Sequence, residues 1–208
     1  MFIKLCGFTR IEDIEIVKNL PISSVGFIFY KNSRRYISPE HAGRMALLLK
    51  KNGIKATGVF VDDDPETIME IVNSSSLDMV QVYNSCTADA LSPLIPVINC
   101  VRIGDPENHL LPEPHTGGMV LFDTYSTDAL GGTGKSFNLD SVMDYPFKNK
   151  MIIAGGISEN NIYDIIRKVH PGGIDISSGI EISAGIKSEK KILRIMQIIE
   201  EAQHDINA

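Results

Sequence analysis

Short apolar runs alternate with amphipathic stretches along almost the whole chain, and this alternation sets the predicted elements. The first run is Phe2-Ile-Lys-Leu-Cys6, closed by Gly7. Successive side chains of a strand face opposite ways, so Ile3 and Leu5 share an apolar face while Phe2, Lys4 and Cys6 share the other. Ile11, Ile14, Val17 and Leu20 then recur at helical spacing, with Thr9 as a capping residue and Pro21 just beyond the end. Ser24–Tyr30 reads as a second strand and 31–36 as a polar loop. Ser38-Pro39 opens a helix, serine as cap and proline in the first turn, that runs to about Lys51 before Gly53.

The same rhythm continues. Ala56–Val61 is a strand, and Asp64-Pro65-Glu66 starts a helix carrying Ile68, Ile71 and Val72. Leu77–Tyr83 is a strand, Thr87–Leu91 a short helix and Pro96–Ile103 a strand. Residues 104–118, with three prolines and two histidines, are too broken for a long helix. Met119–Asp123 is a sixth strand, Met151–Ala154 a seventh and Gly173–Ser177 an eighth. A helix starting at Ser158 and ending near His170 separates the last two, and Lys187–Gln203 closes the chain with Ile192, Ile195, Met196 and Ile199 on one face.

About eight strands alternating with helices in 208 residues predict a single domain, 1–208, folded as a (β/α)₈ TIM barrel; a doubly wound open sheet is the competing architecture. The faces favour the barrel. Ile3 and Leu5, Val80 and Val82, Val120 and Phe122, and Ile174 and Ile176 form apolar pairs suited to strands covered by helices. The opposite faces become polar toward their C-terminal ends, at Cys6, at Gln81 and Tyr83, at Asp123, and at Asp175 and Ser177. A barrel gathers these ends at one mouth, where such folds place their sites.

Composition narrows the function classes. Apolar residues at 43% and charged residues at 22% are ordinary for a globular protein, and a net charge of −6 argues against a nucleic-acid-binding surface. Cys6, Cys86 and Cys100 fit neither a disulfide framework nor a zinc site, and the five histidines show no metal-ligand spacing. No cofactor or metal is expected. Without an apolar run near the ~18 residues of a membrane span or a leader pattern at Met1, the expected location is the cytoplasm. Monomer and homodimer are equally compatible with these patterns.

Two glycine-rich turns, Ala154-Gly155-Gly156 and Ser177-Ser178-Gly179, follow the seventh and eighth strands. Either alone reads as a tight turn; together, where barrels often bind phosphate, they suggest a phosphate cradle. Gly131-Gly-Thr-Gly-Lys-Ser136 ends like a P-loop, but Ala129 stands where the first glycine belongs, so a flap over the mouth is the better interpretation than an ATP site. Arg34 suits a solvated surface position. Arg35, beside Tyr36 in a loop after the second strand, suits a bidentate contact to a carboxylate. Cys6 alone would be a small buried residue and Asp123 alone a turn carboxylate; on well-separated strands of one mouth they could flank a substrate as base and acid.

The sequence resembles the phosphoribosylanthranilate isomerases of tryptophan biosynthesis. The resemblance rests on Lys4-Leu-Cys-Gly-Phe-Thr9, Gly26-Phe-Ile-Phe-Tyr30 with Ser33-Arg-Arg-Tyr-Ile-Ser-Pro39, Gly58-Val-Phe-Val61, Val80-Gln81, Leu121-Phe-Asp123, Gly131-Gly-Thr-Gly-Lys135, Ala154-Gly-Gly156 and Asp175-Ile-Ser-Ser-Gly-Ile-Glu181, in that order. It implies a TIM barrel performing an Amadori rearrangement of N-(5′-phosphoribosyl)anthranilate to 1-(2-carboxyphenylamino)-1-deoxyribulose 5-phosphate. It also implies Asp123 as general acid, Cys6 as general base, Arg35 on the anthranilate carboxylate, Gln81 in the substrate pocket, and Gly155, Gly156, Ser177, Ser178 and Gly179 on the phosphate. Lys4 is the candidate to favour a Cys6 thiolate. The family usually shows Leu-His-Gly where this chain has Val82-Tyr83-Asn84, and lysine where it has Asn99; both departures are expected near the mouth. The alternatives are the related phosphoribosyl isomerase of histidine biosynthesis, which carries a carboxylate at the end of strand 1, and a phosphate-binding barrel without catalysis.

Overall fold

A computed structural model of the chain describes residues 1–103, 111–123 and 140–207. Apolar β-branched runs form the strands β1 (Phe2–Cys6), β2 (Ser24–Ile28), β3 (Lys55–Phe60), β4 (Met79–Val82), β5 (Val97–Arg102), β6 (Met119–Asp123), β7 (Met151–Ala154) and β8 (Gly173–Ile176). They are parallel, pair in sequence order, and close where β8 meets β1, with Lys4 in register with Asp175. The helices are α1 (Ile11–Val17), α2 (Pro39–Lys50), α3 (Pro65–Ser75), α4 (Ser85–Leu91), α5 (Asp140–Met143), α6 (Ile162–Val169) and α7 (Glu189–Asn207). The expected barrel is therefore present, and the short, irregular stretch after the fifth strand contains no helix among the described residues.

The two faces of each strand bury different things. Ile3, Leu5, Val80, Val82, Val120, Phe122, Ile174 and Ile176 belong to the large core between strands and helices. Met79, Ile98, Cys100, Leu121, Ile152 and Ala154 fill the barrel interior instead. Lys4 and Asp175 share that interior face by alternation. Asn99 departs from expectation. It is in register with Val82 and Val120, so it lies on the helix-facing side of β5 in mid-strand and not at the mouth.

Caps explain the helix starts. Ser38 accepts from the His41 N–H at α2, Asp64 from the Thr67 N–H at α3, and Asn84 from the Thr87 N–H at α4. Thr9 does not cap α1 as expected. Arg10 occupies the cap position without a side-chain bond, because the Thr9 hydroxyl donates to the Gly185 carbonyl at 2.7 Å. The segment 158–161 forms a turn closed by Asn161 on the Ser158 N–H, so α6 begins at Ile162 rather than at Ser158. Lys187 is not helical. It ends a small hairpin, β9 (Glu181–Ser183) and β10 (Ile186–Lys187), that the periodicity does not reveal and that sits between β8 and α7.

Candidate functional site

Alternation carries the polar ends of the strands to the mouth formed by their C-terminal ends. Cys6 is 6% exposed at the end of β1, and Gly7 turns the chain away at a φ of +79°, a conformation that suits glycine. A side chain on Gly26 of the neighbouring strand would stand 2.6 Å from the Cys6 sulfur, so a bare backbone there leaves room for the thiol. Beneath Cys6, the Lys4 ammonium has no exposed surface and donates to Asp175 Oδ2 at 2.8 Å. Burial would lower the Lys4 pKa, but the Asp175 carboxylate and the thiol beside it raise it above the ordinary value instead.

Lys4 is the expected source of thiolate character at Cys6, and its charge and hydrogen bond do pull the thiol pKa down, but other effects are larger. Burial raises the thiol pKa and outweighs the opposing effect of Lys4 and Lys187, while Asp175 adds to the rise. On balance the Cys6 pKa lies above that of an ordinary thiol.

Asp123, half-buried, ends β6 in register with Arg102 and Ala154. Around the ring, β7 and β8 are the two strands between β6 and β1. Both glycine turns thus lie on the short arc between Asp123 and Cys6. Gly155 and Gly156 take φ values of +87° and +61°, and space is open on the side of Gly156 where a Cβ would stand. Gly179 belongs to a single 3₁₀ turn, Ser178–Ile180, and a Cβ there would lie 2.0 Å from the Ile157 carbonyl oxygen. The two turns therefore pack directly on one another. Ser177 faces the Gly7 turn, its hydroxyl 3.1 Å from where a Gly7 Cβ would stand.

Arg35 also reaches this mouth. Its Cδ would lie 2.6 Å from a Gly7 Cβ, so the aliphatic stem crosses the turn just after Cys6. Its Nε donates to Glu181 at 2.9 and 3.1 Å, and its Nη2 at 2.6 Å. Arg34 and Arg35, with Ser178, Glu181, Ile182, Ser183 and Ala184, line a cleft of about 300 Å³ beside the turns.

Gln81 is buried on the interior face of β4, and its Oε1 has no hydrogen-bond partner among the described residues. Tyr83, two residues on, stacks beneath the Arg102 guanidinium with 5.0 Å to the ring centroid. Burial pushes its phenol pKa up, and Cys100 and Asp123 push it further. Of the departures from the family pattern, Tyr83 thus reaches the mouth while Asn84 serves as a helix cap. The glycine-rich run 131–136 lies outside the described residues, as does 104–110.

Sequence reasoning passed over Glu181 and Lys187. Glu181 is buried, and besides Arg35 it accepts from Lys187 Nζ at 2.8 Å and from the Gly185 N–H at 3.1 Å. Lys187 Nζ also donates to the Cys6 carbonyl at 2.5 Å. The available signal was a glutamate and a lysine six residues apart around Gly185, too local a pattern to predict their burial.

A family model described as N-(5'phosphoribosyl)anthranilate (PRA) isomerase matches residues 3–198. The chain belongs to this family. An N-(5'-phosphoribosyl)anthranilate isomerase of Nitrosomonas europaea is 34% identical over 207 residues, covering 97% of this chain and 96% of that one. One from a Thermoanaerobacter species is 36% identical over 192 residues, covering 91% and 93%. Among solved structures, the family's enzyme from Thermotoga maritima superposes with a TM-score of 0.82 at 28% identity, over 97% of this chain and 99% of that one. No helix among the described residues is long and apolar enough to cross a membrane.

Proposed function

We propose that this chain, as a single domain spanning 1–208, is an aldose–ketose isomerase, an intramolecular oxidoreductase that converts N-(5′-phosphoribosyl)anthranilate to 1-(2-carboxyphenylamino)-1-deoxyribulose 5-phosphate in tryptophan biosynthesis. The observation that supports it most is geometric. The strand ends bearing Cys6 and Asp123 open on one mouth, with the paired glycine turns on the arc between them.

In this reading the phosphate sits on the N–H groups of Gly155, Gly156 and Gly179 and on the hydroxyls of Ser177 and Ser178, where glycine lets backbone approach an anion. Arg35 takes the anthranilate carboxylate, and the Gln81 amide oxygen suits a ribose hydroxyl. Asp123 gives a proton to the ribose ring oxygen as the C1′–O bond breaks, leaving a cationic iminium. That cation, next to Cys6, favours the thiolate that burial resists. The thiolate takes the C2′ proton, and the C2′–H electron pair forms the enolamine double bond. C1′ then gains a proton as the C2′ hydroxyl loses one, so product and substrate have the same composition.

The substrate is a small phosphorylated molecule. We infer that no nucleic acid or membrane takes part, that the protein works in the cytoplasm, and that it does so as a monomer or homodimer; a dimeric family member is known from Thermotoga maritima. Mixing the protein with N-(5′-phosphoribosyl)anthranilate should remove the substrate's fluorescence at a rate proportional to protein concentration. Stoichiometric binding with an undiminished signal would mean a binding barrel instead.

A further inference from the structure

A buried carboxylate between two cations at the edge of a mouth invites the question of what it holds in place. Glu181 is 4% exposed and is separated from Arg35 by 146 residues of sequence, yet it takes three of its hydrogen bonds from that one guanidinium. A guanidinium has five N–H donors, and Glu181 occupies one lateral edge, the Nε–H and one N–H of Nη2. Among the described residues no hydrogen bond engages the terminal edge, formed by Nη1 and the second N–H of Nη2, and that edge suits a planar carboxylate.

The other bonds of Glu181 make it a fixed anchor. Lys187 and the Gly185 N–H bind the Oε1 side, and Lys187 is itself fastened to the Cys6 carbonyl and, through its own N–H, to Asp13 at 3.2 Å. The Arg35 stem lies against Gly7, so the guanidinium is held from two directions. A free arginine must lose side-chain entropy on binding, whereas one already clamped has lost it beforehand.

We propose that Glu181 is a positioning residue that makes Arg35 selective for a carboxylate-bearing substrate, by clamping its lateral edge and presenting its terminal edge to the mouth. This rests on the assignment of Arg35 to the anthranilate carboxylate. Glu181 touches no reacting atom in this scheme. Its contribution is to discrimination between substrates with and without the carboxylate.

Two inhibitors test it: the reduced product, 1-(2-carboxyphenylamino)-1-deoxyribitol 5-phosphate, and its phenylamino counterpart lacking the carboxylate. Both share the phosphate, so the ratio of their inhibition constants isolates the carboxylate and cancels general damage to the pocket. Glu181→Gln should lower the preference for the carboxylated inhibitor by about tenfold, the scale of one charge-assisted hydrogen bond. Arg35→Lys should lower it similarly, and adding Glu181→Gln to Arg35→Lys should change it no further. Glu181→Gln combined with Lys187→Met avoids stranding the lysine if the single variant folds poorly, and should give the same lowered ratio. An unchanged or increased ratio in the Glu181 variants, with Arg35→Lys still lowering it, would overturn the inference and make Glu181 a mere competitor for the guanidinium. If Arg35→Lys leaves the ratio unchanged, the assignment of Arg35 itself falls, and the inference with it.

Discussion

Lys4 and Cys6 stand two residues apart on one strand face, and the lysine is shared between the thiol and Asp175, to which it donates at 2.8 Å. This division of charge sets the pH behaviour of the proposed base. The Cys6 pKa is raised, so its thiolate fraction grows only as pH climbs past the ordinary thiol range. Iodoacetamide labelling of the Cys6 peptide, read by mass spectrometry apart from the exposed Cys86, should therefore reach half-maximal rate above pH ~8.5. Because Lys4 pulls that value down, Lys4→Met should move the midpoint higher still. A wild-type midpoint below the free-thiol value would show an activated resting thiolate instead.

At the scale of elements, packing decides more than propensity. Leu49 on α2 is fully buried in the outer core, and Leu49→Ala should cost about 2–5 kcal/mol, read from the midpoint of urea unfolding; a cost under about 1 kcal/mol would mean that the helix is loosely docked. The strands were legible because their signal is local. β6 and β7 follow from Met119–Asp123 and Met151–Ala154 alone, and the outward pairs from simple alternation. The β9–β10 hairpin was not legible, since strands of three and two residues are too short to show a period. Thr9 reads as a helix cap until Gly185, far away in sequence, takes its hydroxyl. The same limit hid Glu181: a buried charge is identified by its partners, and Arg35, 146 residues away, meets it only once the barrel has closed.

Closure also links the proposed site to the stability of the whole molecule. Arg35, Lys187 and Glu181 join the loop after β2, the hairpin after β8 and the end of β1. Burial alone would raise the Glu181 pKa, but its hydrogen bonds to Arg35 and Lys187 bring it below the ordinary carboxylate value. A carboxylate with a depressed folded pKa contributes stability that is present above its unfolded value, near 4.5, and lost as pH falls through the folded one. Wild-type Tm should thus fall as acid is added below that point, and Glu181→Gln should fall less steeply over the same window. Parallel acid limbs would contradict the assignment. The placement of the proposed acid and base is likewise a property of the closed ring, since Cys6 and Asp123 are three strands apart by the short arc. Their joint action is the central claim, and the most direct test is the initial rate of substrate fluorescence loss for wild type, Cys6→Ala and Asp123→Asn, each with matched circular dichroism. Removal of either group should slow the rate by about 10²–10⁴-fold; a rate within a few-fold of wild type in either folded variant would contradict the account.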